Sequence, residues 1–333
     1  SDYVSATADW ARLGYGLPDA EELARVSTLF ANVGDGIENI ADASSYMISI
    51  LKGFDLAADD AQKVADLINE VANNEPASAS DISEILTRSG AALHEAGNDL
   101  SQAISLGVAM NSVTQNAEST GQTLKTVSMY LRAAKTDLEN MGESSDGCAN
   151  SVSELRSELK QLTGVDIMKD AAGTQFKSTY DILKEISEVW GSLTDVTRAN
   201  VTEMLGGKRN ANAVAAVLSQ FEIAEKSMKD AANSAGSAAK ENEVYLSSIT
   251  GKLAQLDSAF QQLSQDLLDS SLIKFFVDFA TAAVDIADGA VKAAGALPTL
   301  TAAISGVLSV MQMSGKLKNG AGKVNMPSYV CCV

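Results

Sequence analysis

Histidine, cysteine, proline and aromatic side chains are all scarce in this 333-residue chain, and each scarcity removes a class of function. The single histidine, His94, cannot complete a Ser-His-Asp triad, a Cys-His dyad or a histidine-based metal site. The three cysteines are Cys148 and the adjacent Cys331 and Cys332. They form no CxxC pair, so neither a disulfide framework nor a zinc site is indicated. Four prolines leave few positions where a helix must stop. With aromatics at 5%, cores have to be built from Ala, Leu, Val and Ile, and such cores are thin because each position buries little area. No strictly alternating apolar run asks for a strand. The opening SDYVSATADW has neither a basic n-region nor an apolar h-region, so no signal peptide is expected and the chain reads as an internal part of something longer.

What is present is helical. Hydrophobic residues make up 46% and charged residues 20%, which is enough to bury a core. Apolar side chains step by three and four nearly everywhere. Val64, Leu67, Ile68 and Val71 share a face, as do Ile82, Ile85, Leu86 and Leu93, and then Leu124, Val127, Leu131, Ala134 and Leu138. Pro18, followed by Asp19, Glu21 and Glu22, suits a first helical turn, where a missing N–H is harmless and carboxylates meet the positive end of the dipole. Ser119 with Gln122, and Ser151 with Glu154, have capping-box spacing. Breaks are expected at 14–16, 34–36, Gly53, 73–76, Gly97 and 142–147. The expected fold is all-α: compact bundles of short helices, then longer coiled-coil-like helices and an apolar C-terminal helix.

The organisation expected is an N-terminal bundle over 1–140, a linker with one short helix over 141–175 and a second helical cluster over 176–235. Long heptad-patterned helices over 236–294, an apolar helix over 295–315 and a flexible tail over 316–333 follow. Leu246, Ile249, Leu253, Leu256, Phe260, Leu263 and Leu267 step by three and four like a coiled-coil seam. The same stripe equally describes one face of a long globular helix, so self-association and burial within the chain both stay open. Residues 293–315 form a charge-free run of 23, with Lys316, Lys318 and Lys323 beyond it. That length could span a bilayer, while Pro298 and several Ser, Thr and Gly fit a buried hairpin as well.

Chemistry-bearing constellations are few. Gly206, Gly207, Lys208 and Arg209 look like the end of a phosphate loop, but Thr202 stands where its first glycine belongs and Arg209 replaces the required Ser/Thr. A helix corner is the better reading: the glycines permit a tight reversal, and the cations can meet the last carbonyls of a helix over 195–205. Asn200 and Thr202 form a chance glycosylation sequon. Carboxylates such as Asp59, Asp60, Glu241 and Glu243 lie along faces with no oxygen-rich loop, so neither calcium nor paired acid–base work is indicated. No catalytic residue, cofactor or metal site is expected. The net charge of −18, from 43 acidic and 25 basic residues, repels phosphate backbones and argues against non-specific nucleic-acid binding; solubility alone explains it as well, and no specific nucleic-acid binding is expected.

One ordered run of segments says more than composition. FKSTYDILKEISEVW (176–190), LTDVTRANVTEMLGGKRNANAVAAVLSQF (193–221) and NSAGSAAKENEVYLSSITGKLAQL (233–256) follow ADWARLGYG (8–16), DAQKVADLINEVANN (60–74), SASDISEILTRSGAALHEAG (78–97) and LKTVSMYLRAAKTDLENMG (124–142). Their order and spacing resemble the helical domain of tape-measure proteins of long-tailed bacteriophages, especially those of Gram-positive hosts, from about residue 8 to about 300. The resemblance implies a non-enzymatic virion component that sets tail length, nucleates tube assembly and leaves ahead of the DNA at infection. It also implies tail-tube and tail-assembly partners. The implied locations are the tail lumen, the host cytoplasm during assembly and the host envelope, reached through 293–315, on ejection. In the same resemblance the Gly206–Arg209 corner joins two helices. A membrane-active or secreted helical effector, with 293–315 as its working element, is the alternative.

Overall fold

The computed structural model describes residues 2–142, 144–248 and 252–253. Helix occupies 74% of them. In chain order the elements are α1 (Asp2–Arg12), α2 (Leu17–Val33), α3 (Ile40–Gly53), α4 (Ala61–Asn74), α5 (Ala79–Glu95), α6 (Leu100–Thr114) and α7 (Ala117–Tyr130). They continue with α8 (Lys135–Asn140), α9 (Val152–Thr163), α10 (Thr179–Trp190), α11 (Asp195–Ser219), α12 (Glu222–Ala232) and α13 (Ser237–Ser247). Among the described residues the β pairing is limited to one isolated antiparallel bridge, Met168 to Phe176. The all-α expectation holds. The apolar helix expected over 295–315 and the tail over 316–333 lie outside the described residues.

Local chemistry explains where the helices start. Asn39, Ser78, Asp99, Asn116, Ser151, Ser178 and Thr194 each accept a hydrogen bond from the backbone N–H three residues on. Each such cap satisfies an orphan donor and stabilises its helix by about 1 kcal/mol. Two expected starts differ in detail. The helix expected to begin at Ser119 begins earlier, because Asn116 is the capping side chain and Ser119 supplies the N–H. At Ser151 the hydroxyl caps Glu154 as expected, but the Glu154 carboxylate reaches back to the Asn150 N–H instead of closing the box on Ser151.

Two breaks turn through positive φ without a glycine or proline. Gln115 ends α6 at φ 49°, and Ala133 sits at φ 50° between α7 and α8. The apolar face expected from Leu124 to Leu138 is therefore divided between two helices. Leu124, Val127 and Leu131 are buried in the main core, while Leu138 turns into a small satellite with Tyr130 and Cys148.

The chain divides into two compact units, Ser1–Glu243 and Val244 onward. In the first unit one continuous core runs from Ala6 to Ala238. Its centre is α6, which carries no charged residue and buries every position from Ala103 to Asn111. A helix apolar on all sides has to be wrapped by others. Here α5, α7, α10, α11 and α12 pack around it. Close approach between helices is set by small residues: a side chain at Gly121 of α7 would place its Cβ 3.0 Å from the Ile85 carbonyl oxygen of α5. Helices on either side of 141–175 share this core, and that stretch adds Leu155, Leu159, Val165, Ile167 and Met168 to it. Of the second unit, the described residues comprise the end of α13 and helical residues 252 and 253.

Candidate functional site

The Gly206–Arg209 corner lies inside α11. Val201, Thr202 and Leu205 bury the first half of this helix, and at Gly207 the backbone leaves helical geometry at φ 70°, ψ 174°. That region is open in practice to glycine alone. The corner is fitted tightly as well. A Cβ on Gly207 would lie 2.9 Å from the Tyr130 hydroxyl oxygen and 3.0 Å from the Asp146 carbonyl oxygen. A Cβ on Gly206 would lie 2.9 Å from Val214 Cγ2.

Tyr130, buried at the end of α7, holds the facing loop. Its hydroxyl donates to the carbonyls of Ser144 and Asp146, both at 3.0 Å. Burial, with the nearby Cys148 and Asp146, pushes this phenol up to about 12. Burial likewise raises the Cys148 thiol, so it is a packed apolar group rather than a ready thiolate.

The cations of the corner do not cap the helix. Lys208 is exposed and lies 3.6 Å from Glu203, and Arg209 is exposed. The Gly206 carbonyl instead accepts from Asn210 Nδ2 at 2.9 Å, while Asn210 Oδ1 accepts from the Thr123 hydroxyl at 3.2 Å. The corner thus ties α11 to α7 through a neutral amide. Both glycines are buried and both flanks are helical, so no open cradle of N–H groups faces a phosphate.

His94 is exposed at the end of α5 with its ring 5.7 Å from the Phe54 ring, edge to face. It borders a cavity of about 440 Å³ floored by Phe54, Val64, Leu67 and Leu100. Among the described residues no group of three His, Cys, Asp or Glu is placed to hold a metal ion. Among them, too, no helix is long and apolar enough to cross a membrane, and 293–315 lies outside them. Of the seam residues, Leu246 is 37% exposed on α13 and Leu253 is half-buried. Ile249, Leu256, Phe260, Leu263 and Leu267 lie outside the described residues.

Three tie points were not anticipated from the sequence. Arg132, between α7 and α8, donates to the carbonyls of Ala96 and Lys177 and lies 4.3 Å above the Phe176 ring. Burial lowers its guanidinium to about 10, so it stays charged at neutral pH, held by carbonyl dipoles and a ring face without a carboxylate. Asp166 takes a two-pronged contact from Arg156 at 2.8 Å and one from Lys160 at 3.0 Å, and these hold its carboxyl well below the usual range. On α4, the buried Asp66 accepts from the backbone N–H groups of Gly236 and Ala238 at the start of α13. A lone cation in an apolar stretch and a polar stripe on α4 were the available signals.

Asn210 and Asp66 each join one helix to another, while Tyr130 and Arg132 fasten loops and helix ends to the bundle. The fold and its tie points define a helical structural module. The chain belongs to the family described as phage-related minor tail protein, whose family model matches residues 1–207, and it is a phage tail protein of tape-measure type. It is similar to a protein of Halomonas phage phiHAP-1 named "Probable tape measure protein", at 23% identity over 296 residues. That similarity covers 84% of this chain and 32% of the relative, so the chain spans about a third of the relative's length. No solved structure matches.

Proposed function

We propose that this chain is part of a tape-measure protein that sets tail length, scaffolds assembly of the tail tube and assists genome ejection, leaving the tail ahead of the DNA. The observation that carries the reading is the match to a tape-measure relative across most of the chain, beside the family match over residues 1–207. In this reading residues 1–243 are a compact module and not the ruler. A ruler needs chain that runs extended, so that residues convert to length at 1.5 Å each in a helix. The heptad stripe from Leu246 is where that conversion begins, with self-association along Leu246, Ile249, Leu253, Leu256, Phe260, Leu263 and Leu267.

The partners of the proposal are tail-tube and tail-assembly proteins in the virion, and the host envelope through 293–315. Peptides of this chain should be present in purified intact virions and depleted from tails after triggered ejection. Their persistence at full level in emptied tails would contradict the ejection step. Full-length chain should float with liposomes more than chain ending at Gly289; equal flotation would remove the envelope contact.

A further inference from the structure

We propose that residues 236–243 are a latch that lets go of α4 while the rest of the bundle stays folded. On α4 the side chains of Asp66, Asn69, Glu70 and Asn73 recur at steps of three and four, forming a polar stripe beside the apolar face of the same helix. All four have partners at the start of α13. Asp66 accepts from the N–H groups of Gly236 at 3.0 Å and Ala238 at 3.1 Å. The Ser237 hydroxyl donates to Glu70 at 2.7 Å and accepts from Asn69 at 3.0 Å. Asn69 and Asn73 both donate to the Glu241 carboxylate, at 2.9 and 2.5 Å. From α2, Asn32 donates to Asn242 at 2.9 Å.

The contrast with the rest of the unit lies in what is buried. In 236–243 only Ala238 is buried, whereas α6 buries nine consecutive residues, 103–111. Hydrogen bonds exchange almost evenly with water, so a polar contact fixes geometry strongly and contributes modest free energy. Apolar burial, which makes a core cooperative, is nearly missing here. Opening also leaves little apolar surface behind, because α4 meets this segment with polar side chains and Ala238 alone is buried on the other side. A pivot is in place: α12 ends at Ala232, and Gly236 sits at φ 79° just before α13. Local opening at low free energy is the expected behaviour of such a segment.

Hydrogen exchange by mass spectrometry on the full chain tests this. Amides of 237–243 should exchange at least about a hundredfold faster than those of α5–α7, a gap typical of a locally opening segment against a core. Asp66→Ala should speed the segment about tenfold further, the equivalent of ~1.4 kcal/mol, and leave α5–α7 unchanged. Asn73→Ala, at the exposed end of the stripe, should give a smaller rise in the same segment and remains informative if the Asp66 variant folds poorly. Exchange of 237–243 in step with α5–α7 overturns the latch. So does a wild-type segment that neither substitution accelerates.

Discussion

Replacing Gly207 by alanine tests a tightly fitted corner of the bundle. Two independent costs are expected. The backbone stands at φ 70°, ψ 174°, where a residue with a Cβ is strained by about 1–3 kcal/mol. The new methyl would also press on the Tyr130 hydroxyl at 2.9 Å and the Asp146 carbonyl at 3.0 Å, and overpacking of that kind costs about 1–3 kcal/mol more. Together these amount to roughly 2–6 kcal/mol, which for a unit of this size lowers the melting temperature by roughly 4–24 °C. Thermal melts followed by far-UV circular dichroism on the full chain would measure it.

Tyr130→Phe serves as the second arm of the cycle. It removes the hydroxyl that binds Ser144 and Asp146, at a cost of about 1–2 kcal/mol. Because the lost oxygen is the atom nearest the new methyl, the double variant should be less destabilised than the sum, by about 1 kcal/mol. The backbone strain and the Asp146 contact remain in the double variant, so full rescue is not expected. A Gly207→Ala chain that melts within about 1 °C of the wild type would refute the reasoning about this corner.

Two further outcomes follow from the packing and the charges. Gly121→Val should destabilise the α5–α7 contact by at least about 2 kcal/mol, because its Cβ would lie 2.9 Å from Arg88 Cβ and 3.0 Å from the Ile85 carbonyl oxygen; a melt unchanged from wild type would show that the helices can separate freely. Asp166 and Asp170 have carboxyls lowered below their unfolded value by Arg156 and by the Thr174 hydroxyl respectively. Their contribution is therefore complete above about pH 4 and is lost as pH falls below it, so Asp166→Asn should flatten the acid limb of a stability–pH profile, and an unaltered limb would exclude the pair.

The stripes Val64–Val71 and Ile82–Leu93 were legible because a 3.6-residue period shows in a single segment, and all of their apolar members are buried as expected. What was not legible depends on partners distant in sequence. The stripe Asp66, Asn69, Glu70 and Asn73 looks like an ordinary solvated face until Gly236–Glu241, some 170 residues later, is brought against it. Gly207 announces a backbone requirement, but not that Tyr130 and the 144–146 loop will fill the space beside it. Lys208 and Arg209 drew attention as helix-capping cations, whereas the neutral Asn210 makes the bond, since a short amide reaches the carbonyl one turn back without desolvating a charge. Gln115 at the end of α6 and Ala133 between α7 and α8 turn the chain at positive φ with no glycine to signal it.

The division between a compact module and a length-reading stripe is tested most directly in the intact phage. Deleting 42 residues, 246–287, from the heptad-patterned stretch 236–294 should give tails shorter by about 60 Å in electron micrographs, at 1.5 Å per helical residue. A deletion of equal length inside α4–α6 should instead prevent tails from forming, because it removes the centre of the bundle. Tails of wild-type length after the 246–287 deletion would contradict the account.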